Sequence, residues 1–144
     1  AEQSFTVGEI TITPIPCAHT ELHRDEHGDY RELSYIVSGD GKTIFFGGDM
    51  SLYPGLVERL EQEHFDLLLL PVNGRDEGRT AHNIIGNLNE HEAAELAAHL
   101  KAPYCPMHHD LYAFNGCPVE AVEAAAAQAG ATLLQPKLNV PMAI

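Results

Sequence analysis

The sequence predicts a single α/β domain that spans residues 1–144. In the segment 66–72, the residues after Asp66 form a continuous apolar run that ends before the polar Asn73, which is typical of a strand buried on both faces of a sheet. Apolar side chains recur at helical spacing in the segment that follows Asn89. An alanine-rich segment, 118–129, begins with proline and is followed by Gly130, as a helix would be. Strands that alternate with helices in this way indicate helices packed on a sheet.

The first part of the chain is predicted to be β-structure. Phe5–Val7 and Ile10–Ile15 alternate apolar residues with β-forming polar ones, which is the period of a strand. Residues 35–37 and 43–46 flank an Asp-Gly turn and are predicted to form a hairpin, because that pair supplies the positive φ angles of a tight turn. Thr20–Glu32 has no apolar period and is predicted to be a long loop.

The later elements are predicted from signals at their ends. Pro54–Glu63 is predicted to be a helix, since its apolar residues share a face and proline suits a first helical turn. Asn89, with Glu92 three residues later, is typical of a capping box at the start of a helix. The other predicted elements are a polar loop at Asn73–Leu88, strands at Tyr104–Met107 and Ala131–Leu134, and a last edge element at Asn139–Ile144.

Charge and cysteine content exclude several classes of function. The formal net charge is −13, from 21 acidic and 8 basic residues, and such a surface repels nucleic acid. No apolar run approaches the roughly 20 residues that span a bilayer, so no membrane partner is expected. The three cysteines have no Cys-x-x-Cys spacing, which favours reduced thiols in a cytoplasmic protein over a disulfide framework.

Residues with metal-ligating side chains follow three of the predicted strands. His19 follows the strand that ends near Pro16, Asp49 follows a glycine pair after the second hairpin strand, and His108 follows Met107. The carboxyl ends of parallel strands meet at one edge of a sheet, so these three side chains are expected to converge. Imidazole and carboxylate together suit Zn, Mn or Fe. Each residue taken alone is better explained as an ordinary surface or turn residue, and it is their conjunction that predicts a metal site.

These motifs resemble those of a known family. The series Pro-Cys-Ala-His19, Gly-Gly-Asp49 and Pro-Met-His108 resembles the second half of the metallo-β-lactamase fold. The stretch that begins Pro-Val-Asn-Gly-Arg75-Asp and closes with Gly-Asn-Leu-Asn89 is similar to the characteristic loop of L-ascorbate-6-phosphate lactonases. His-His-Asp-Leu-Tyr, at 108–112, resembles another segment of those enzymes.

The resemblance implies half of a metallo-β-lactamase αβ/βα sandwich, with a mixed sheet and helices on one face. The family's first metal motif, His-x-His-x-Asp-His, is absent from this sequence. The chain is therefore expected to be a carboxyl-terminal half of that fold. We expect it to self-associate as a homo-oligomer or to pair with the missing amino-terminal half, because half a sandwich would expose a large apolar face.

The resemblance also implies a mechanism. His19, Asp49 and His108 would bind one or two divalent metals, Mn or Zn, with Asp49 bridging them. Metal-bound hydroxide would then open the lactone ring of a small phosphorylated sugar acid. Asp49 and Asp110 are the predicted catalytic residues. Asp76 and Asp110 could each orient a histidine ligand, and Asp110 could also carry a proton.

A second group of residues is predicted to bind the substrate. Arg75 and Arg79 would hold its phosphate, because guanidinium groups match phosphate geometry. An equally weighted alternative is that both arginines form a salt-bridge set with Asp76 and Glu77 that holds the loop. The complete predicted set is Asn73, Arg75, Asp76, Arg79 and Thr80.

Two other functions remain open at the level of sequence. The same fold could carry a metal-dependent phosphodiesterase, which an assay with a phosphodiester beside a lactone would distinguish. The chain could also be a non-catalytic binding or assembly module that lacks half of the metal site. A metal content near zero in the natively sized protein would favour that module.

Overall fold

The computed structural model describes residues 2–110, 112, 114–137 and 139–144. Within these residues the strands form one six-stranded mixed sheet in the order β1-β2-β3-β4-β5-β6. The strands are β1 (Phe5–Val7), β2 (Ile10–Pro16), β3 (Leu33–Gly39), β4 (Lys42–Phe46), β5 (Leu67–Pro71) and β6 (Tyr104–Met107). The pairs β1–β2, β2–β3 and β3–β4 are antiparallel, whereas the pairs β4–β5 and β5–β6 are parallel. The predicted α/β class with a mixed sheet is confirmed.

The directions of the strands bring four strand ends to one edge of the sheet. Because β2 and β4 are both antiparallel to β3, they point the same way, and β5 and β6 share that direction. We call the side of the sheet where β2, β4, β5 and β6 end the carboxyl edge. The hairpin between β3 and β4 turns through Asp40 and Gly41, whose φ angles are 50° and 71°, as the Asp-Gly signal predicted.

The helices are α1 (Leu56–Leu60), α2 (Glu77–Ala81), α3 (Glu90–Leu100) and α4 (Val119–Ala129). The capping box of α3 is confirmed: Asn89 accepts from the backbone of Glu92, whose side chain accepts from the backbone of Asn89. Helix α4 ends at Ala129 and is followed, as predicted, by Gly130, which adopts a left-handed conformation with a φ of 69°. No helix of the described residues is both long enough and apolar enough to cross a bilayer.

Four predicted elements differ in the structure. The polar loop predicted at Asn73–Leu88 contains helix α2, which begins after its N-cap Asp76. Helix α1 is shorter than the predicted Pro54–Glu63, because Gly55 has a φ of 92° and prevents a helical turn from starting at the proline. The predicted strand at Ala131–Leu134 is reduced to one bridge, between Leu133 and Tyr104. The neighbouring strand continues with Pro106, which has no N–H with which to extend the pairing.

The last predicted element is also wrong. Residues 139–144 are described and form no strand. Their one described backbone hydrogen bond is a turn, in which Val140 N–H donates to the carbonyl of Lys137 at 3.1 Å. Pro141 removes a donor in the middle of the segment, which explains why it does not extend the sheet.

The two faces of the sheet differ in burial. One row of paired residues, Ile36, Phe45, Leu68 and Tyr104, is fully enclosed, and α3 packs against β5, β6 and α4 on that side. Phe46, the next residue along β4, points to the opposite face and is 40% exposed. We call that opposite side the open face. Its apolar side chains include Phe5, Val7, Ile10, Ile12, Val37, Ile44, Phe46, Leu67 and Leu69, of which Leu67 is buried.

Candidate functional site at the carboxyl edge

Asp49 and His108 meet at the carboxyl edge. His108 Nδ1 lies 3.1 Å from Asp49 Oδ1, and the two side chains are 28% and 61% exposed, so solvent reaches the pair. His108 directly follows β6 and has a φ of 63°, in the left-handed region that non-glycine residues rarely adopt. Backbone strain of this kind is maintained only when the surrounding structure fixes it. Of the three side chains that were expected to converge, Asp49 and His108 lie in contact.

The turn that carries Asp49 requires glycine. A Cβ at Gly47 would lie 2.5 Å from Met50 Sδ and 3.1 Å from the carbonyl oxygen of Leu69. Gly47 N–H donates to that carbonyl at 2.9 Å, and the carbonyl of Gly47 accepts from Ser34 Oγ at 2.6 Å. The turn is thus bonded to β3 on one side and to β5 on the other, and these bonds fix the backbone position from which the chain continues to Asp49.

Hydrogen bonds join the turn that carries His19 to the turn that carries Asp49. Ser51, which is buried, donates its backbone N–H to the carbonyl of Ala18 at 2.6 Å and its hydroxyl to the carbonyl of His19 at 2.7 Å. Cys17 Sγ lies 3.3 Å from the carbonyl oxygen of Asp49. Burial raises the pKa of the Cys17 thiol, so the group stays protonated and can donate to that carbonyl. The sequence did not indicate that Ser51 and Cys17 join these two turns.

The imidazole of His19 lies against the loop after β5. A Cβ added to Gly86 would be only 2.2 Å from His19 Nε2, so glycine is needed for this approach. No group of three or more His, Cys, Asp or Glu side chains that could hold a metal occurs within the described residues. The structure therefore brings Asp49 and His108 together and does not group His19 with them. The role of His19 as a metal ligand stays a prediction.

The chemistry of the Asp49–His108 pair fits one side of a metal site. A carboxylate and an imidazole are ligand types that Zn and Mn accept. A catalytic zinc site usually takes three protein ligands, and this pair supplies two. The partial exposure of both side chains leaves room for further ligands to approach from solvent.

Asp110 is placed differently from its predicted role. Its side chain is 84% exposed, and its Oδ1 lies 3.8 Å from His109 Nε2, not beside His108. Asp76, which was also considered as an orienting carboxylate, caps helix α2 by accepting from the backbone of Arg79 at 2.6 Å. The catalytic role of Asp110 stays a prediction.

The two predicted phosphate-binding arginines are both engaged within the fold. Arg75 pairs with Glu92 of α3. Arg79 pairs with Asp76 at 2.6 Å, donates from Nε to Asn115 Oδ1 at 3.1 Å, and donates to the carbonyl of Gly116. The salt-bridge alternative thus describes Arg79 with Asp76. The partner of Arg75 is Glu92, which neither interpretation named.

The remaining predicted substrate-binding residues divide between the interior and the surface. Asn73 is buried at the end of β5; its Nδ2 donates to the carbonyl of Asn115 at 3.2 Å, and its Oδ1 accepts from Asn87 Nδ2 at 2.9 Å. Thr80 is exposed on α2. Asn87 and Asn115 were not predicted as site residues. Asn87 was visible in the sequence, in the Gly-Asn-Leu-Asn end of the loop.

Two cavities lie beside the loop 73–88. One, of about 400 Å³, contacts the carboxyl edge, and we call it the amide cavity. It is lined by His19, Thr20, Asn73, Asn83, Ile84, Ile85, Gly86, Asn87 and Asn115. The other, of about 420 Å³, shares Ile84 with it and is lined on its far side by α2 residues and by Phe114. The amide cavity is the one that includes a predicted metal ligand.

Comparison with known proteins identifies relatives of this fold. A family described as "Beta-lactamase superfamily domain" matches residues 1–109. A UPF0173 metal-dependent hydrolase from Methanocorpusculum labreanum is 29% identical over 70 residues, which cover 46% of this chain and 32% of that protein.

Solved structures extend the comparison. Igni18, a metallo hydrolase from Ignicoccus hospitalis, superposes with a TM-score of 0.69 at 16% identity over 93% of this chain and 54% of its own. An isothiocyanate hydrolase from Delia radicum gut bacteria gives a TM-score of 0.72 at 14% identity, over 99% of this chain and 59% of its own. At these identities the similarity shows the fold alone.

A third structure is closer in sequence. A protein from Thermotoga maritima, described as a Zn-dependent hydrolase of the metallo-β-lactamase superfamily, has 26% identity and a TM-score of 0.61, over 86% of this chain and 56% of its own. The chain thus spans a little over half the length of these solved relatives and about a third of the curated one.

Proposed function

The chain belongs to the metallo-β-lactamase superfamily, and from this membership we propose that it forms part of a metal-dependent hydrolase whose reaction takes place at the carboxyl edge. One observation carries the proposal: Asp49 and His108, from the ends of β4 and β6, are 3.1 Å apart and open to solvent. The metal-dependent hydrolases among the relatives are consistent with it.

Asp49 and His108 would hold the metal, and His19 would join them from the adjoining turn. A bound divalent cation would act as a Lewis acid and would lower the pKa of a water molecule toward neutrality. The protein's own contribution is rigidity. Ser51 and Cys17 fix the His19 turn to the Asp49 turn, and Gly47 lets the Asp49 turn pack on Leu69, so the ligands keep their spacing when substrate enters.

Within this class, we propose that the substrate is a lactone, such as that of a phosphorylated sugar acid. Support comes from the resemblance of the loop 73–88 to that of the sugar-phosphate lactonases and from the amide cavity beside it. Arg75 and Arg79 are engaged with Glu92 and Asp76, so they do not present a free pair of guanidinium groups to a phosphate. The proposal is therefore limited to lactone ring opening and does not rest on recognition of a phosphate by these two arginines.

The test measures hydrolysis of a lactone in the presence of Mn²⁺ or Zn²⁺. The rate of the protein that carries this chain is compared with the rates of two variants. Asp49→Ala and His108→Ala each remove a metal ligand, so kcat/KM should fall by at least about 100-fold. His91→Ala removes an exposed imidazole on α3, far from the strand ends in sequence, and should leave kcat/KM unchanged.

The outcome separates the candidate functions. Unchanged lactone hydrolysis in Asp49→Ala would remove the metal assignment. Turnover of a phosphodiester but not of a lactone would replace the lactonase by a phosphodiesterase. A metal content near zero, with no turnover of either substrate, would favour a binding or assembly module.

A further inference from the structure

Arg79 binds two separate segments of the chain at once. Its guanidinium donates from Nη1 to Asp76 Oδ2 at 2.6 Å and to the carbonyl of Gly74 at 3.3 Å, both in the loop after β5. It also donates from Nε to Asn115 Oδ1 at 3.1 Å and from Nη2 to the carbonyl of Gly116, both in the segment after β6. Acceptors from two segments therefore surround one side chain, which is only 14% exposed.

The planar guanidinium is what allows this arrangement. Arginine carries its N–H donors in a fixed fork that points in several directions, whereas lysine carries its donors on a single nitrogen. A poorly exposed charge is costly unless it is paired, and Asp76 supplies the opposite charge to Arg79. The fork of Arg79 is thus occupied by the protein itself, and its structural effect is to join the loop after β5 to the segment after β6.

The segment that the guanidinium holds is bonded to the residue after His108. Cys117 N–H donates to the carbonyl of His109 at 2.7 Å. A Cβ at Gly116 would lie 2.6 Å from that same carbonyl oxygen, so glycine is required for this approach. The backbone of His109 is therefore fixed by a segment in which the carbonyl of Gly116 accepts from the guanidinium.

His108 lies between two backbone hydrogen bonds. On its amino-terminal side, the carbonyl of Met107 accepts from Val72 N–H at 3.1 Å, and on its carboxyl-terminal side the carbonyl of His109 accepts from Cys117. His108 has a φ of 63°, and an uncommon conformation of this kind persists only where neighbouring contacts determine it. One of the two contacts depends on the strand β5, and the other depends on the segment that the guanidinium holds.

We propose that Arg79 is a positioning residue for His108. The guanidinium holds residues 115–117 against the loop after β5, and these residues hold the backbone from which His108 reaches Asp49. Loss of the fork would loosen residues 115–117, and the His108 imidazole would shift relative to the Asp49 carboxylate. The consequence for metal binding and hydrolysis rests on the proposed function, whereas the effect on the position of His108 does not.

Arg59 provides a matched control for Arg79. Both arginines are ion-paired and poorly exposed, with 14% of the Arg79 side chain and 18% of the Arg59 side chain accessible. The partners of Arg59 are Glu2 and Glu63, neither of which lies in the two segments that Arg79 joins. Replacement of each arginine by lysine keeps the charge and removes the fork.

The test measures the position of His108 in the metal-free protein by NMR. In Arg79→Lys, the His108 ring signals should shift, and the Cys117 amide should exchange with solvent about three- to tenfold faster, which is the effect of losing about one neutral hydrogen bond. The effect is limited in size because Asn73 still donates to the carbonyl of Asn115. Arg59→Lys should leave both quantities unchanged.

Two further readouts separate positioning from phosphate binding. In Arg79→Lys, the Mn²⁺ concentration that broadens the His108 signals should rise by a similar factor, about three- to tenfold. Hydrolysis of an unphosphorylated lactone should show a lower kcat, because the metal ligand is displaced whatever the substrate carries. A rise in KM that is confined to a phosphorylated lactone, with kcat unchanged, would mean that Arg79 binds the phosphate and would overturn the inference.

Two more variants keep the inference testable if Arg79→Lys does not fold, which circular dichroism would show. Gly116→Ala retains Arg79 but obstructs the approach to His109, so it should also shift the His108 signals. Arg79→Ala removes a wall residue of the cavity of about 420 Å³, through which a small cation can enter. Guanidinium at a concentration far below that which unfolds proteins should return the His108 signals toward their wild-type positions, whereas ammonium should not.

The results separate this inference from the proposed function. Unchanged His108 signals in folded Arg79→Lys and Gly116→Ala would overturn the positioning role even in an active hydrolase. Displacement of His108 by Arg79→Lys in a protein that hydrolyses no lactone would uphold the positioning role and would overturn the proposed function instead.

Discussion

At the scale of single residues, the candidate site depends on glycines that are so close to neighbouring atoms that a Cβ would overlap with them. Gly86 and Gly47 are the clearest cases, because a Cβ at either would lie 2.2 Å from His19 Nε2 or 2.5 Å from Met50 Sδ. Ser51 adds two hydrogen bonds that join the turns carrying His19 and Asp49. The positions of two predicted metal ligands, His19 and Asp49, thus depend on neighbours that are not themselves ligands.

The contact between Gly86 and His19 gives a direct prediction. Gly86→Ala should displace the His19 imidazole, because a methyl group cannot occupy a position 2.2 Å from its Nε2. The chemical shifts of the His19 ring should therefore change. The free energy of unfolding should fall by no more than about 1 kcal/mol, because the exposed imidazole can rotate away from the added methyl group. NMR of the histidine rings and urea denaturation measure the two effects.

Gly78, in the same loop, is the matched control. A Cβ there would meet nothing closer than Asp76 Oδ1 at 3.5 Å, and the residue lies within α2. Gly78→Ala should leave the His19 signals in place and should not lower stability, since alanine favours a helix more than glycine does. Identical His19 spectra in Gly86→Ala and in the wild type would show that this contact does not position the ring.

At the scale of elements, local signals predicted most of the fold. The capping box at Asn89, the Asp-Gly turn and Gly130 each act within a few residues, and each was visible in the sequence. The strand Tyr104–Met107 was predicted with its exact bounds. The predictions failed where pairing partners decide the outcome. The segment 131–134 has strand-forming residues, but its neighbouring strand offers Pro106 where a donor is needed.

The candidate site was predictable from the sequence to about the same extent as the fold. The order of the strand ends pointed to Asp49 and His108, and their contact follows from the parallel strands of the sheet. The partners of Arg75 and Arg79 were not predictable in full, because Glu92 and Asn115 reach them only through the folding of the loop onto α3 and the segment after β6. The hydrogen bond between Asn87 and Asn73 depends on that same long-range arrangement.

At the scale of the whole molecule, the open face of the sheet is the dominant feature. Among its apolar side chains, Phe5, Val7, Ile10 and Phe46 are each at least 40% exposed. The register aligns these residues on one side of neighbouring strands, so they form a continuous patch. Apolar patches of this kind mark places where another protein surface packs. We propose that a second copy of the chain, or a separate polypeptide segment, covers this face.

The open face and the net charge act in opposite directions on self-association. Burial of the apolar side chains favours assembly, whereas a formal net charge of −13 on each chain opposes it. We therefore expect the mean mass of the isolated chain, measured by light scattering, to exceed that of a monomer and to rise between about 0.1 M and about 1 M salt, as charge repulsion is screened.

A variant tests whether the open face is responsible. Phe46→Lys places a charge at the centre of the patch and should return the mass to that of a monomer, whereas a substitution on an exposed helix, Glu95→Lys, should not. A wild-type chain that remains monomeric at both salt concentrations would contradict the proposed assembly.

Titration with Mn²⁺, while the ring signals of all nine histidines are recorded, shows whether Asp49 and His108 hold a divalent cation. Bound Mn²⁺ broadens the signals of nearby nuclei, so we expect the His108 signals to disappear first, at the lowest Mn²⁺ concentration. In Asp49→Ala, this early loss should require at least about tenfold more metal. Broadening that begins at His23 and His27 in the acidic loop, with His108 unaffected or insensitive to Asp49→Ala, would mean that the cation binds elsewhere.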